Sequence, residues 1–144
     1  MRRSHRFALS AACALGVLVA AGRAPNVDGF GLEALGVKKS DRGFIAINDK
    51  FETSVKGVYA IGDVAGNQML AHKGSREGHV LADMLGGQHV HPVNYGNIPS
   101  CTYCHPEVAS VGMTEEQVKA SGAAYKIGKF PFSANGRART SGEI

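Results

Sequence analysis

Tryptophan is absent from this 144-residue chain, and aromatic residues make up only 7% of it. Its core must therefore be built from Val, Leu, Ile and Ala. Cysteine is scarce, with only Cys13, Cys101 and Cys104, and these three do not form a C-x-x-x-x-C arrangement. Strong charge of one sign is also missing. The formal net charge is +4, but Arg2, Arg3 and Arg6 crowd the first six positions, and without them acidic and basic side chains nearly balance. No basic stripe is present, which argues against nucleic-acid binding. Residues 7–22 run without a charge but are short for a membrane span, which needs about 20 apolar residues. The 44% apolar content suits a globular chain rather than a disordered one.

Glycine, by contrast, is abundant, with 19 residues and no repeat to explain them. Such a surplus points to tight turns and to places where a ligand approaches the backbone. The basic start, apolar run and Val19-Ala20-Ala21 exit resemble a secretory signal peptide. A short buried strand is the competing reading of residues 17–21. Further on, residues 30–37 suggest one helical turn, residues 43–47 a strand, and Asn48-Asp49 a turn. Residues 58–61 read as a buried strand, and residues 69–85 as a helix closed by Gly86-Gly87. Pro92 and Pro99 mark a boundary. Beyond it, residues 100–103, 108–112 and 125–132 are candidate strands. Thr114-Glu115-Glu116-Gln117 is a capping box opening a helix that stops at Ser121-Gly122. The last nine residues show no closing element.

The most informative segment is Thr53-Ser54-Val55-Lys56-Gly57-Val58-Tyr59-Ala60-Ile61-Gly62-Asp63. It carries a carboxylate to the end of an apolar strand, directly after a glycine. Ligands of open α/β sheets bind outside the carboxyl ends of strands. A carboxylate placed there can accept hydrogen bonds from sugar-like hydroxyls. Met69-Leu70-Ala71-His72-Lys73 follows at a helix start, where unpaired N–H groups and partial positive charge suit an electron-rich ligand edge. Taken alone, Asp63 reads as a turn or cap residue, and Met69, Leu70 and His72 as ordinary helix-start residues.

Together these segments resemble the pyridine nucleotide–disulfide oxidoreductases. Thr53, Gly57, the apolar strand, Gly62 and Asp63 are similar to the family's second flavin-binding motif. Gly22-Arg23-Ala24-Pro25-Asn26 resembles the turn from the NAD domain back to the FAD domain. Ile98-Pro99, Tyr103, His105-Pro106-Glu107-Val108-Ala109-Ser110-Val111-Gly112, Lys129-Phe130-Pro131-Phe132 and Ala134-Asn135-Gly136-Arg137-Ala138 resemble the opening of its dimer-interface domain. The resemblance covers about residues 17–144. It implies an α/β to α+β fold: part of a Rossmann-like, three-layer FAD-binding domain, then the start of an α+β dimerisation domain. Residues 1–16 stay unassigned as a leader or misread start. Residues 17–26 would be the last strand of the NAD domain and the crossover. Residues 27–92 would be the C-terminal part of the FAD domain, and residues 93–144 the start of the dimerisation domain.

The resemblance further implies that Asp63, beside Gly62, holds the ribityl chain of FAD. The helix start at Met69, Leu70, Ala71 and His72 would face the flavin, with the Leu70 and Ala71 amides stabilising its reduced form. NAD would be the second cofactor of the intact enzyme. Met69 to Lys73, with Glu77-Gly78, is most similar to the branch of the family that oxidises dihydrolipoyl groups. The implied partners are therefore a second copy of the chain and the lipoyl domains of 2-oxoacid dehydrogenase complexes. No metal, nucleic acid or membrane is expected, and the expected location is cytoplasmic, or exported if residues 1–21 are a signal peptide.

Three parts of the family pattern are not found. There is no Gly-x-Gly-x-x-Gly turn for a dinucleotide pyrophosphate, no redox cysteine pair, and no catalytic His–Glu pair; His105-Pro106 matches an earlier segment. The expectation is a piece of a flavoenzyme that is inactive alone, binds FAD poorly and tends to aggregate through exposed sheet edges. The alternative is an exported c-type cytochrome. Cys101-Thr102-Tyr103-Cys104-His105 is a full C-x-x-C-H haem-attachment pattern, and Met69, Met84 or Met113 could supply the second axial ligand. Zinc bound by Cys101, Cys104, His89 and His91 is a weaker reading, because the spacing is not that of a familiar finger. A thiol redox pair at Cys101 and Cys104, and a small domain pairing through its sheet edge, complete the set.

Overall fold

The fold was obtained as a computed structural model, and it describes residues 18–142. The expected leader, Cys13 and Val17 lie outside them. The chain divides into two compact units between Val93 and Asn94.

The first unit has a small aliphatic core. Val27, Val37, Ile45 and Ala60 are buried, and Leu32, Ile47, Val55, Val58 and Val64 pack against them. Phe44 and Phe51 are buried in this unit as well, so its core is not built from aliphatic residues alone, as the scarcity of aromatics had suggested. Residues 31–36 wind through one helical turn, with Leu35 N–H donating to Gly31 O at 3.2 Å. Lys39 then bridges Asp28 at 2.7 Å and Glu33 at 2.6 Å. The hydrogen bond from Lys39 holds the Glu33 carboxyl below the usual carboxylate range. The bond to Asp28, then that to Glu33, raises the Lys39 ammonium above its usual value.

A hairpin-like segment delivers the chain to the Gly62 turn. At its tip Asn48 Oδ1 accepts from the Lys50 and Glu52 N–H groups, the local bonding that makes Asn a turn residue. Phe51 is held there at φ 62° with its side chain buried. Thr53 N–H donates to Val58 O, and Ala60 N–H to Phe51 O. The expected strands at residues 43–47 and 58–61 are not full strands. They make single antiparallel bridges, Lys39 with Ile45 and Glu52 with Tyr59. A strand exists only beside a partner, and within the described residues each segment finds one residue to pair with. Residues 18–21, expected as the end of a strand, are likewise irregular and exposed.

The main helix, α1, spans Ala71–Leu85. It starts two residues later than the apolar pattern suggested, because Leu70 is extended at φ −130°, ψ 132° and serves as N-cap. Only Lys73, Glu77 and Val80 are buried along it.

In the second unit β1 (Ser100–Thr102) pairs antiparallel with β2 (Val108–Ser110), with Cys101 opposite Ala109. Both strands are exposed throughout. The expected strand at residues 125–132 is absent. That segment is irregular, and Ile127, Phe130 and Phe132 are 60%, 73% and 71% exposed, so no neighbouring strand covers it. The helix α2, Glu115–Ser121, forms as its capping box requires. Thr114 Oγ1 accepts from Gln117 N–H at 3.2 Å, and Gln117 Oε1 accepts from Thr114 N–H at 2.8 Å. Gly122 closes it at φ 70°. Replacing Thr114 with Ala removes a helix cap and should cost the second unit about 1 kcal/mol. Faster amide exchange at Gln117 would report it. A closing element, missed in the sequence, is α3, Gly136–Ser141. Asn135 Oδ1 caps it by accepting from the Arg137 and Ala138 N–H groups.

Candidate functional site

The chain emerges from the hairpin into a 3-10 turn, Gly62–Ala65. Gly62 has φ 72°, a left-handed conformation that glycine adopts without steric cost. A Cβ there would meet no atom within 4 Å, so the space over this backbone is open. Asp63 follows, with 45% of its side chain exposed, and pairs with Arg23 at 3.2 Å. An exposed pair of this kind is worth about 0–1 kcal/mol, so the carboxylate can exchange its partner at little cost. The contact also joins two segments that were singled out separately in the sequence, the Gly22–Asn26 turn and the Gly62-Asp63 turn.

The start of α1 lies against the same turn. A Cβ on Gly74 would come within 3.2 Å of the Gly62 Cα, so the helix backbone approaches the turn as closely as only glycine permits. On the next turn, a Cβ on Gly78 would touch Ile61 at 3.4 Å. The N-terminus of α1 has no side-chain cap. Its first-turn N–H groups therefore keep their dipole directed out of the helix end. The Leu70 N–H is engaged by Gln68 O at 3.0 Å, which leaves Ala71 as the first amide of the open end. Met69 and Leu70 are half-buried, while Ala71 and His72 are exposed.

Two residues not assigned a role from the sequence complete the site. Lys73 is fully buried and Glu77 almost so, at 0% and 1% exposure, and their side chains meet at 3.1 Å. Lys73 Nζ also donates to Gly62 O at 3.0 Å and to Gly66 O at 3.1 Å. Glu77 Oε2 accepts from Gly62 N–H at 2.7 Å. The available signal was the i,i+4 spacing of a cation and an anion, which shares one helix face. That spacing usually marks a solvated surface pair, so it does not announce a buried one.

The cysteine motif sits in the second unit. Cys101 and Cys104 are free and exposed, and Cys104 Sγ donates to Pro106 O at 3.0 Å. Among the described residues no three His, Cys, Asp or Glu side chains are grouped to hold a metal. No helix among them is long and apolar enough to cross a membrane. A cleft of about 220 Å³ in this unit is lined by His105, Pro106, Glu107, Phe132, Arg137 and Ala138, among others.

A glycine turn carrying a carboxylate thus lies against the start of α1. Residues 11–78 match the model of the pyridine nucleotide-disulphide oxidoreductase family, and residues 98–143 match that of its dimerisation domain. The chain belongs to this family. It is 51% identical over 123 residues to dihydrolipoyl dehydrogenase 1, mitochondrial, from Arabidopsis thaliana, covering 85% of this chain and 24% of that protein. It is 52% identical over 126 residues to dihydrolipoyl dehydrogenase from Zymomonas mobilis, covering 87% of this chain and 27% of that protein. The chain thus spans about a quarter of the length of the curated relatives it matches. Among solved structures, the Cu(II) complex of the HOCl-induced flavoprotein disulfide reductase RclA from Escherichia coli superposes with a TM-score of 0.74. The two are 28% identical, over 86% of this chain and 28% of that one. These matches give the cytochrome reading no support.

Proposed function

We propose that this chain supplies one side of the flavin site of a dihydrolipoyl dehydrogenase, together with part of that enzyme's dimerisation domain. The observation that carries the proposal is the Gly62-Asp63 turn set against the uncapped start of α1. The residues fit a ribityl–isoalloxazine segment. Open space lies over Gly62, a half-exposed carboxylate stands next to it, and helix-end donors follow at Ala71. Asp63 would exchange Arg23 for the ribityl hydroxyls and accept their hydrogen bonds. The N-terminus of α1 would stabilise negative charge at the flavin edge. Bound FAD would supply two-electron transfer between a dithiol and NAD. Protein-bound dihydrolipoyl groups are the proposed substrate and lipoyl domains the proposed partners, a reading supported by about 50% identity to dihydrolipoyl dehydrogenases.

The chain itself has no C-x-x-x-x-C pair to exchange electrons with a dithiol and no Gly-x-Gly-x-x-Gly turn to hold the pyrophosphate. Its FAD affinity should be weak, with a dissociation constant on the order of 1 mM, or about 4 kcal/mol of binding. The test is an NMR titration with FAD, combined with an assay of NADH formation from dihydrolipoamide and NAD. Shifts should gather at the Gly62, Asp63 and Ala71 amides and shrink in Asp63→Asn, with no measurable turnover. Turnover at the roughly 1–1000 per second typical of enzymes, or an FAD response that ignores these amides, would refute the proposal.

A further inference from the structure

We infer that Lys73 and Glu77 are the positioning residues of the flavin-facing turn, holding Gly62–Ala65 in the shape that presents Asp63. This deepens the flavin reading and rests on it. The three protons of the Lys73 ammonium are all placed. An ammonium has three protons to give, and Lys73 has three acceptors: Gly62 O, Gly66 O and Glu77 Oε2. Glu77 Oε2 returns to the same turn by accepting from Gly62 N–H. The pair therefore grips Gly62 by both its N–H and its C=O, and it holds the far end of the turn at Gly66.

Helix stability does not explain these residues. A Lys in the first turn faces the positive end of the helix dipole, and Lys preceding Glu is the weaker i,i+4 order. Burying two charges is also costly, and an apolar pair of similar volume is often as stable. What an apolar pair cannot do is bind the backbone of a loop. Gly62 cannot fix its own conformation, since glycine is the freest residue, and among the described residues the side chain of Asp63 is tied by one exposed ion pair. The rigidity of the turn has to come from beneath it, and Lys73 and Glu77 are the fully buried polar side chains there.

The test uses amide exchange and the FAD shift response of the whole chain. Lys73→Met/Glu77→Leu keeps an uncharged, well-filled site, and Lys73→Met/Glu77→Gln restores one acceptor for Gly62. In the first variant, exchange at Gly62 and Gly66 should rise about tenfold or more, while Val37 and Ala60 keep wild-type rates. In the second, Gly62 should regain protection while Gly66 stays fast. The FAD response at Asp63 should fall in the first variant to the level of Asp63→Asn. Wild-type exchange at Gly62 and Gly66, or equal acceleration of Val37 and Ala60, would overturn the inference, and so would a wild-type FAD response from a loosened turn. If Asp63→Asn itself responds like wild type, the flavin reading fails, whereas the exchange rates still decide whether the pair holds the turn.

Discussion

Replacing Lys73 alone with methionine should destabilise the first unit by about 3–5 kcal/mol, the usual cost of removing one member of a buried ion pair. Methionine fills much the same volume but offers no proton. Glu77 would stay 1% exposed with its negative charge facing an apolar side chain. The Gly62 and Gly66 carbonyls would lose their donor as well. For a unit of this size the loss corresponds to a melting temperature lower by about 10 °C or more, readable by circular dichroism. Removing both charges should restore most of that loss, because the main penalty comes from the partner left behind. A single variant as stable as wild type would show that the Gly62 N–H and the other groups around Glu77 suffice to hold its charge.

The second large effect is expected at Gly74. Its ideal Cβ position lies 3.2 Å from the Gly62 Cα, which is backbone and cannot rotate away. Valine adds two further methyl groups to that contact. Lys73 and Glu77 pin the opposing turn from the same helix, so the turn cannot retreat without breaking their hydrogen bonds. Overpacking of this kind costs about 1–3 kcal/mol. The gain from replacing a mid-helix glycine is smaller, at most about 1 kcal/mol. Gly74→Val should therefore melt at lower temperature and lose the FAD shifts at Gly62 and Asp63. Gly78→Ala is the control. The corresponding Cβ there meets only the flexible end of Ile61 at 3.4 Å, so the FAD response should survive.

Local sequence was enough for elements that are stabilised locally. The α2 helix formed where Thr114 and Gln117 could cap it. The turn at Asn48 formed because one side chain satisfies two neighbouring amides. The α1 helix was legible in its length and its glycine stop, though not in its first two residues, because an extended N-cap leaves no mark on an apolar pattern. The strands were less legible. Residues 43–47, 58–61 and 125–132 have the right composition, but pairing is a property of two segments, and composition describes one. The final helix, Gly136–Ser141, is too short to leave a periodic apolar pattern, and its one local mark is Asn135, whose side chain caps it.

The amino-acid sequence alone carries a mostly aliphatic core, a near-neutral body, the glycine turn bearing Asp63 and membership of a flavoenzyme family. All of these are properties of residue type and order. Tertiary structure alone decided three other points. Arg23 reaches Asp63 across 40 positions of chain. Gly74 is a contact residue rather than a weak spot in a helix. The Lys73–Glu77 pair, which would be a solvated surface pair in most helices, lies buried beneath the turn. The physical reason is shared: burial and hydrogen-bond partners are set by what packs above a side chain, and neither is encoded in the spacing of the residue that bears it.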